Sequence, residues 1–278
     1  MIFKMNNPVT ITKHVRFLCS LSALLVAFAL PAVAQPKAST KFDGPAALNK
    51  AFRQPMLAER ITKSFTLIGQ NLLTTRSKRH LEDSLKEFDV ALKELQATAP
   101  TAEIKENYQL LDQLFGEFKE LTSKPVNIAV AKEIAEQNEE LVWISTKGAG
   151  LILDYTKSAR SELIATASDM RILTQRIAKL YLFRSWGIRS EVILKDLKKA
   201  EEDYRADIAK LKAAPQNTDQ IKNELALAET QYLFLKQGIE RLNADRTSPT
   251  ELEYMSKACD NILDVMERVT KLYEGVKT

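Results

Sequence analysis

Apolar residues recur every three or four positions along most of the chain beyond residue 45, and this spacing predicts amphipathic helices. The first such stretch, at about 45–75, carries Leu57, Ile61, Phe65 and Leu72 on one face. Ala, Leu, Glu, Lys and Gln dominate these stretches, and all five residue types favour helix. No stretch alternates apolar and polar residues as a half-buried strand would. The sequence therefore predicts an all-α fold.

Breaks that contain proline or capping residues divide the pattern into two sets of four helices. Ser248 to Glu251 forms a capping box that starts the last helix. Helices of this length joined by short turns pack antiparallel, and four of them close a core. We therefore expect two antiparallel four-helix bundles in tandem. The predicted helices are about 45–75, 78–97, 102–122 and from Asn127 in the first bundle, and about 158–187, 190–213, 218–243 and 249–275 in the second.

The two predicted bundles carry related sequences. Residues 51–69 match residues 167–185 at an offset of 116 residues, and this indicates an internal repeat. We accordingly divide the chain into a first repeat at 45–150 and a second at 151–278, with 35–44 as a short N-terminal extension. Gly148 and Gly150 lie at the junction, where they either break the chain or soften one long connecting helix. The matched pairs are Leu57/Leu173, Arg60/Arg176, Ile61/Ile177, Lys63/Lys179, Phe65/Tyr181, Leu81/Leu197, Phe88/Tyr204, Leu92/Ile208 and Leu95/Leu211.

The first 34 residues have the layout of a secretory signal peptide. A basic leader is followed by 14 apolar residues, Phe17 to Leu30, and then by a small-x-small cleavage site at Ala32 to Ala34. Fourteen apolar residues are short for a membrane span of about 20 residues. The sequence predicts export to the periplasm, cleavage before Gln35 and no membrane insertion afterwards.

Loss of this leader lowers the net charge from +4 to +1, because it carries three basic residues and no acidic ones. A nearly neutral chain with interspersed Lys and Glu offers no basic face for a nucleic acid. The mature chain keeps one histidine, His80, and one cysteine, Cys259, so a zinc site or a Cys/His nucleophile is not expected. Glu139 and Glu140 are interpreted as a solvated helix face. We therefore predict neither an enzyme nor a cofactor.

The repeated segment resembles the signature of the PilJ-type sensor domain. That domain is the periplasmic N-terminal region of type IV pili methyl-accepting chemotaxis transducers, and it is related to the sensor regions of nitrate/nitrite-responsive histidine kinases. Its pattern is approximately Ala-Gly-Arg-Gln-Arg-Met-Leu-Ser-Gln-Arg-Ile-Ala-Lys. The first copy keeps Arg53, Gln54, Met56, Leu57, Arg60, Ile61 and Lys63; the second keeps Arg171, Leu173, Gln175, Arg176, Ile177, Ala178, Lys179, Tyr181 and Leu182. The resemblance implies a helical-bundle module for sensing or interaction.

In the related kinases, an arginine at the fifth position of the motif holds the anion at a subunit interface. This position is Pro55 in the first copy and Arg171 in the second. Proline supplies neither charge nor a donor, so the resemblance makes Arg171 the leading candidate. Pro55 is also expected to kink the first helix or to mark its beginning.

The remaining candidate chemistry is cationic. A guanidinium at the edge of an apolar core offers a planar fork to a small anion or a carboxylate. The alternative is that these arginines pair with Glu59, Glu162 or Asp169 and only border the core. The candidate ligand-binding residues are Arg171, Arg176, Arg53, Arg60, Gln54 and Gln175.

Two functions fit these features. One is a stand-alone sensory module that binds a small anion and signals through a separate membrane partner, since no kinase or methyl-accepting region follows the repeat in this sequence. The other is a structural scaffold that docks a pilus component, another envelope protein or a second copy of itself as a homodimer.

Overall fold

The computed structural model describes residues 42–242 and 248–277, with backbone alone for 238–242. The predicted signal peptide and most of the short extension lie outside these residues. Every element in the described part is a helix, which confirms the all-α prediction, and none is long and apolar enough to cross a membrane. The helices are α1 (Gly44–Gly69), α2 (Thr74–Thr98), α3 (Ala102–Thr122), α4 (Ile128–Thr156), α5 (Ala159–Ser185), α6 (Glu191–Lys212), α7 (Asp219–Leu242) and α8 (Pro249–Glu274).

Short polar side chains begin most of these helices. The predicted capping box is present, because the Ser248 side chain accepts from the Glu251 N–H and the Glu251 side chain accepts from the Ser248 N–H. α1 ends at Gly69 and not near 75, since Asn71 and Leu73 adopt positive φ angles of 56° and 45°. Side-chain oxygens of Asp43, Thr101, Asn127, Ser158 and Ser190 cap α1, α3, α4, α5 and α6.

Pro55 does not mark the start of the first helix. α1 begins 11 residues earlier at Gly44, and Pro55 is buried within it. The proline has no N–H to donate to the carbonyl of Ala51, so α1 lacks one of its own hydrogen bonds there.

The two glycines at the predicted junction lie inside α4, which continues to Thr156. The chain turns at Lys157 and Ser158 before α5 begins, so one continuous helix does not connect the two halves. A Cβ atom on Gly148 would lie 2.5 Å from Asn107 Nδ2, so a glycine here allows α3 to pack closely on α4.

α1 and α5 are the central helices. α1 packs against α2, α4 and α5, and α5 packs against α6 and α8 as well as α1. α3 covers α4, and α7 covers α8. The buried apolar side chains of all eight helices in the described residues form one continuous core.

Polar side chains are buried along the seam where α1 meets α5. An ionised group in such a position requires a partner, because taking a charge out of water is expensive. The buried charged side chains of these two helices therefore require partners at the seam. The fully buried polar residues of these two helices include Gln54, Glu59, Lys63, Arg171, Gln175 and Lys179.

Candidate functional site

The six candidate residues all lie on α1 and α5. The two helices run parallel. Glu59 of α1 pairs with Arg176 of α5, and further along both helices Gln70 pairs with Ser185, so residue numbers increase in the same direction on each helix. The candidates do not converge on one site, since they have different partners at different levels of the seam. α1 carries Arg53, Gln54 and Arg60, and α5 carries Arg171, Gln175 and Arg176.

Arg171 is fully buried and is held by protein groups. Its Nη1 donates to Glu267 Oε2 at 3.0 Å, and its Nη2 donates to Ser168 Oγ at 2.7 Å and to the Asn49 carbonyl at 3.4 Å. Burial lowers the pKa of Arg171, and the charge of Glu267 opposes this. The positive charge of the leading candidate is therefore matched inside the protein by a carboxylate on α8.

Arg53 shares that carboxylate. It donates through Nη1 to Glu267 and through Nε to Glu87 on α2. Burial works to lower the pKa of Arg53, but Glu267 and Glu87 outweigh it, so the pKa is raised. Arg53 and Arg171 thus meet at Glu267 and link α1, α5 and α8.

Arg176 belongs to a closed ion network, here named the Arg176 cluster, of Arg176, Lys179, Glu59, Glu139 and Asp196. Arg176 donates to Glu59 Oε1 at 2.9 Å and to Asp196 Oδ2 at 3.0 Å, and it lies 2.9 Å from Glu139 Oε2. The Lys179 Nζ atom lies 2.7 Å from both Glu59 Oε2 and Glu139 Oε1. Two cations therefore meet three carboxylates.

The electrostatics of the Arg176 cluster favour its charged state. Burial works to lower the pKa of Arg176, but the charges of Glu59 and Glu139 raise it. Burial likewise works to raise the pKa of Glu139, but Lys179 and Arg176 lower it to about 2. Glu139 lies on an exposed helix face, as the sequence predicts, with its side chain 47% exposed, and it also forms ion pairs with both cations of the cluster.

A second group of charges lies around His80 on α2, and we name it the Arg60 cluster: Arg60, Lys63, Arg76, His80 and Asp260. The buried Lys63 donates to Asp260 Oδ1. Asp260 Oδ2 lies 3.1 Å from Arg76 Nη2 and 4.0 Å from His80 Nδ1. Burial works to raise the pKa of Asp260, but Lys63 and Arg76 lower it.

Arg60 differs from the other three candidate arginines. Its Nε is buried without a hydrogen-bond partner, and no carboxylate in 42–237 or 248–277 forms an ion pair with its guanidinium. Its positive charge nevertheless acts on its neighbours. Burial lowers the pKa of His80 to about 4, and Arg60 contributes to this decrease. Burial also raises the pKa of Asp264, against the charge of Arg60.

The two candidate glutamines are fully buried. Gln54 Nε2 donates to the Phe88 carbonyl at 3.4 Å. Gln175 has no hydrogen-bond partner for either amide atom within the described part of the chain. A buried amide usually forms hydrogen bonds, and Gln175 lacks them at both of its amide atoms. Gln54 Oε1, Arg60 Nε and Arg171 Nε are also unpartnered, and among the candidate arginines Arg60 is the one without an ion pair in the described side chains.

Sequence reasoning missed the carboxylates and lysines that complete these clusters. Lys63 and Lys179 were visible as matched residues of the repeat, which was a usable signal for a shared role. Glu59 was named as a partner of the arginines in the alternative interpretation, and it does pair with Arg176, across the seam. Asp260 and His80 gave no sequence signal, because they reach the site from other helices.

Two further properties bear on chemistry. Among the residues that the structure describes, no group of His, Cys, Asp and Glu side chains is arranged to hold a metal ion. Cys259 is fully buried, and burial raises the pKa of its thiol to about 12.

No protein-family model, curated protein or solved structure matches this chain.

Proposed function

We propose that the chain consists of two tandem copies of a four-helix bundle, α1–α4 and α5–α8, which pack side by side through their first helices. Equivalent contacts at an offset of about 116 residues support this arrangement. Gln70 lies beside Ser185, which donates to its Oε1 at 2.8 Å. Their counterparts Trp186 and Gly69 are also in contact, since a Cβ on Gly69 would lie 2.0 Å from the Trp186 ring.

Aromatic and ionic contacts repeat in the same way. Phe88 stacks on Phe115 with ring centroids 4.0 Å apart, and Tyr204, the counterpart of Phe88, stacks on Tyr232 at 4.5 Å. Lys63 pairs with a carboxylate of α8, and its counterpart Lys179 pairs with one of α4. Each first helix thus sends its lysine to the last helix of the other proposed copy.

We infer that this module is sensory, is exported, binds a small anion and signals through a separate membrane partner. The supporting observation is the set of ionised side chains buried between the two central helices, of which Lys179 and Glu59 are fully buried. Buried ion pairs contribute little net stability, and their best-attested role is to fix or switch register. A ligand that binds one register better than another shifts the population of the two.

The full chain, expressed with its own leader, tests this function. Mass spectrometry of the exported protein should show cleavage before Gln35. Its melting temperature should then rise with nitrate, nitrite or a small organic acid but not with sodium chloride at the same ionic strength, because a ligand that binds the native state stabilises it by mass action. A melting temperature that no anion in the panel changes would contradict the sensory function.

A scaffold function is the second candidate, and the surface of α7 and α8 supports it. Leu233, Phe234 and Tyr254 are 59%, 60% and 67% exposed, which is unusual for large apolar side chains on neighbouring helices. Size-exclusion chromatography with light scattering tests the homodimer form of this function. A concentration-dependent dimer that Phe234→Ser disrupts would favour the scaffold.

A further inference from the structure

We propose that Arg60 and Gln175 form a binding site for one small carboxylate anion of the size of formate or acetate. This inference rests on the proposed anion-binding function, and it adds the location and the chemical class of the ligand. It also selects Arg60 and Gln175 over the four other candidate residues. Each of those four donates at least one side-chain hydrogen bond to another group of the protein.

The location follows from the proposed repeat. Arg176 Nη1 donates to Glu59 Oε1 at 2.9 Å across the seam. At the offset of 116 residues the counterpart of Arg176 is Arg60, and the counterpart of Glu59 is Gln175. Because α1 and α5 are parallel, Gln175 is placed toward Arg60 as Glu59 is placed toward Arg176.

The surroundings of Arg60 agree with this correspondence. Arg176 donates to Asp196 on α6, and the counterpart of Asp196 is His80 on α2. The charge of Arg60 acts on His80, so the two side chains lie within electrostatic range of each other, in agreement with the correspondence.

The two clusters differ in their negative charge. Gln175 brings an amide where Glu59 brings a carboxylate, and His80 replaces the acidic Asp196. The remaining acid of the Arg60 cluster, Asp260, is already paired with Lys63 and Arg76. Arg60 therefore lacks the carboxylates that neutralise its counterpart, Arg176.

The unmet hydrogen bonds match a carboxylate. The Arg60 guanidinium presents a planar fork that suits two oxygens of one anion, and its buried Nε has no partner among the described residues. Gln175 Nε2, which is also unpartnered, is a second donor. A ligand carboxylate bound between Arg60 and Gln175 would supply the negative charge that Glu59 supplies to Arg176.

Charge and size limit the ligand to a small monoanion. The cations Arg60, Lys63 and Arg76 outnumber the acids Asp260 and Asp264 by one, and Arg268, which also acts on Asp264, is paired with Glu224. A single carboxylate neutralises this excess, whereas a dianion would reverse it. Gln175 is fully buried, so a bulky acid does not fit beside it, while the partly exposed Arg60 gives access from solvent.

The experiment measures the unfolding free energy of the full chain against the concentration of sodium acetate, with sodium chloride at matched ionic strength as the reference. At saturation, the slope against the logarithm of concentration counts the bound anions. For the wild type, we expect the slope to correspond to one bound acetate per chain. At a hundredfold excess over Kd, the melting temperature should rise by at least about 5 °C.

Two reciprocal substitutions, Gln175→Glu and Glu59→Gln, exchange the amide and the carboxylate between the two corresponding positions. Gln175→Glu supplies the carboxylate within the chain, so it should raise the melting temperature without acetate and reduce the count to zero. Glu59→Gln leaves Arg176 paired with Glu139 and Asp196, so the count should stay at one. Arg60→Gln should abolish the response, and Lys199→Gln, which removes an exposed cation from α6, should leave it unchanged.

Each result supports or overturns the proposal. An acetate response that persists in both Gln175→Glu and Arg60→Gln overturns the location but leaves the anion-binding function standing. A response of the wild type to nitrate but not to acetate or formate overturns the carboxylate class. No response to any anion overturns both this site and the proposed function.

Discussion

In the proposed repeat, the Arg176 cluster and the Arg60 cluster occupy corresponding places along the seam of α1 and α5, but their charges differ. In the Arg176 cluster every cation has a carboxylate, and the fully buried Lys179 contacts two of them. In the Arg60 cluster the carboxylate of Asp260 is shared by Lys63 and Arg76, and Arg60 has no ion pair in the described residues. A closed network suits a structural role, whereas a cation with unmet hydrogen bonds suits a ligand.

The comparison also teaches that a matched motif does not predict matched chemistry. Arg60 and Arg176 occupy the same motif position, and the residues that distinguish them lie on the facing helices. At the positions that correspond to Glu59, Glu139 and Asp196, the partners available to Arg60 are Gln175, Met255 and His80, and none of these is a carboxylate. The following predictions test the two sides in turn.

The largest effect is expected at Lys179. Lys179→Met leaves the buried Glu59 with Arg176 alone, and loss of one partner of a buried pair costs about 3–5 kcal/mol. Lys63→Met should cost less, because Lys63 pairs with one carboxylate, Asp260, whereas Lys179 pairs with both Glu59 and Glu139. Urea unfolding measures both. Equal losses for the two variants would contradict the contrast between the clusters.

The contact between Gly69 and Trp186 tests the proposed repeat. Gly69→Ser introduces the residue found at the corresponding position 185, but its Cβ would lie 2.0 Å from the Trp186 ring. We expect a loss of about 1–3 kcal/mol from overpacking. Adding Trp186→Gln reproduces the Gln70–Ser185 pair, so the double variant should be more stable than Gly69→Ser alone. Gly150→Ser is the control, because nothing lies within 4 Å of its Cβ.

Asp169 marks a further difference between the halves, since its counterpart is Arg53. Burial and the charge of Asp207 raise the pKa of Asp169 to about 7. An acid with a raised pKa contributes stability below the pKa of the unfolded chain, near 4, and that stability is lost as the pH rises through 7. Asp169→Asn should therefore raise the unfolding free energy by on the order of 1 kcal/mol at pH 8 and not at pH 4.

Thermal unfolding across pH 4–8 checks this prediction. The exposed Asp154 provides the matched variant Asp154→Asn, whose difference from the wild type should not change with pH. A gain for Asp169→Asn at pH 4 equal to that at pH 8 would show that the effect is not caused by ionisation.

The smallest effect is expected at Glu139. Its pKa is lowered to about 2, so its contribution is present above about 4.5 and is lost as the pH falls toward 2. Glu139→Gln should cost about 0.5–1 kcal/mol at pH 7, because the side chain is 47% exposed and solvent screens its pairs. The difference should disappear near pH 2. The neighbouring variant Glu140→Gln, on an exposed side chain, should have no measurable effect at any pH.

The helices were predictable because their signals are local. Apolar spacing and the capping box at Ser248 depend on neighbouring residues alone, and the structure contains both. The exceptions also have local explanations that the spacing did not reveal. α1 ends early because Asn71 and Leu73 adopt positive φ angles, and α4 tolerates Gly148 because Asn107 packs against it.

The partners of the site residues could not be predicted in the same way. The identity of Arg171 as a candidate came from a motif, but Glu267, which neutralises it, lies 96 residues away on α8. Glu59 and Arg176 meet only because α1 and α5 pack in parallel at one register. Such pairings depend on the packing of several helices, and a single sequence contains no direct record of it.

The parallel contact of α1 with α5 has a consequence for how such a protein changes by mutation. If two identical chains met in this way, each substitution would appear on both sides of the seam, and a glutamine opposite one arginine would appear opposite both. Here both sides are encoded in one chain, so a single codon change alters one side and leaves the other intact. The Arg176 cluster can then keep the ion pairs that hold α1 against α5, while substitutions in the Arg60 cluster change which ligand it would bind.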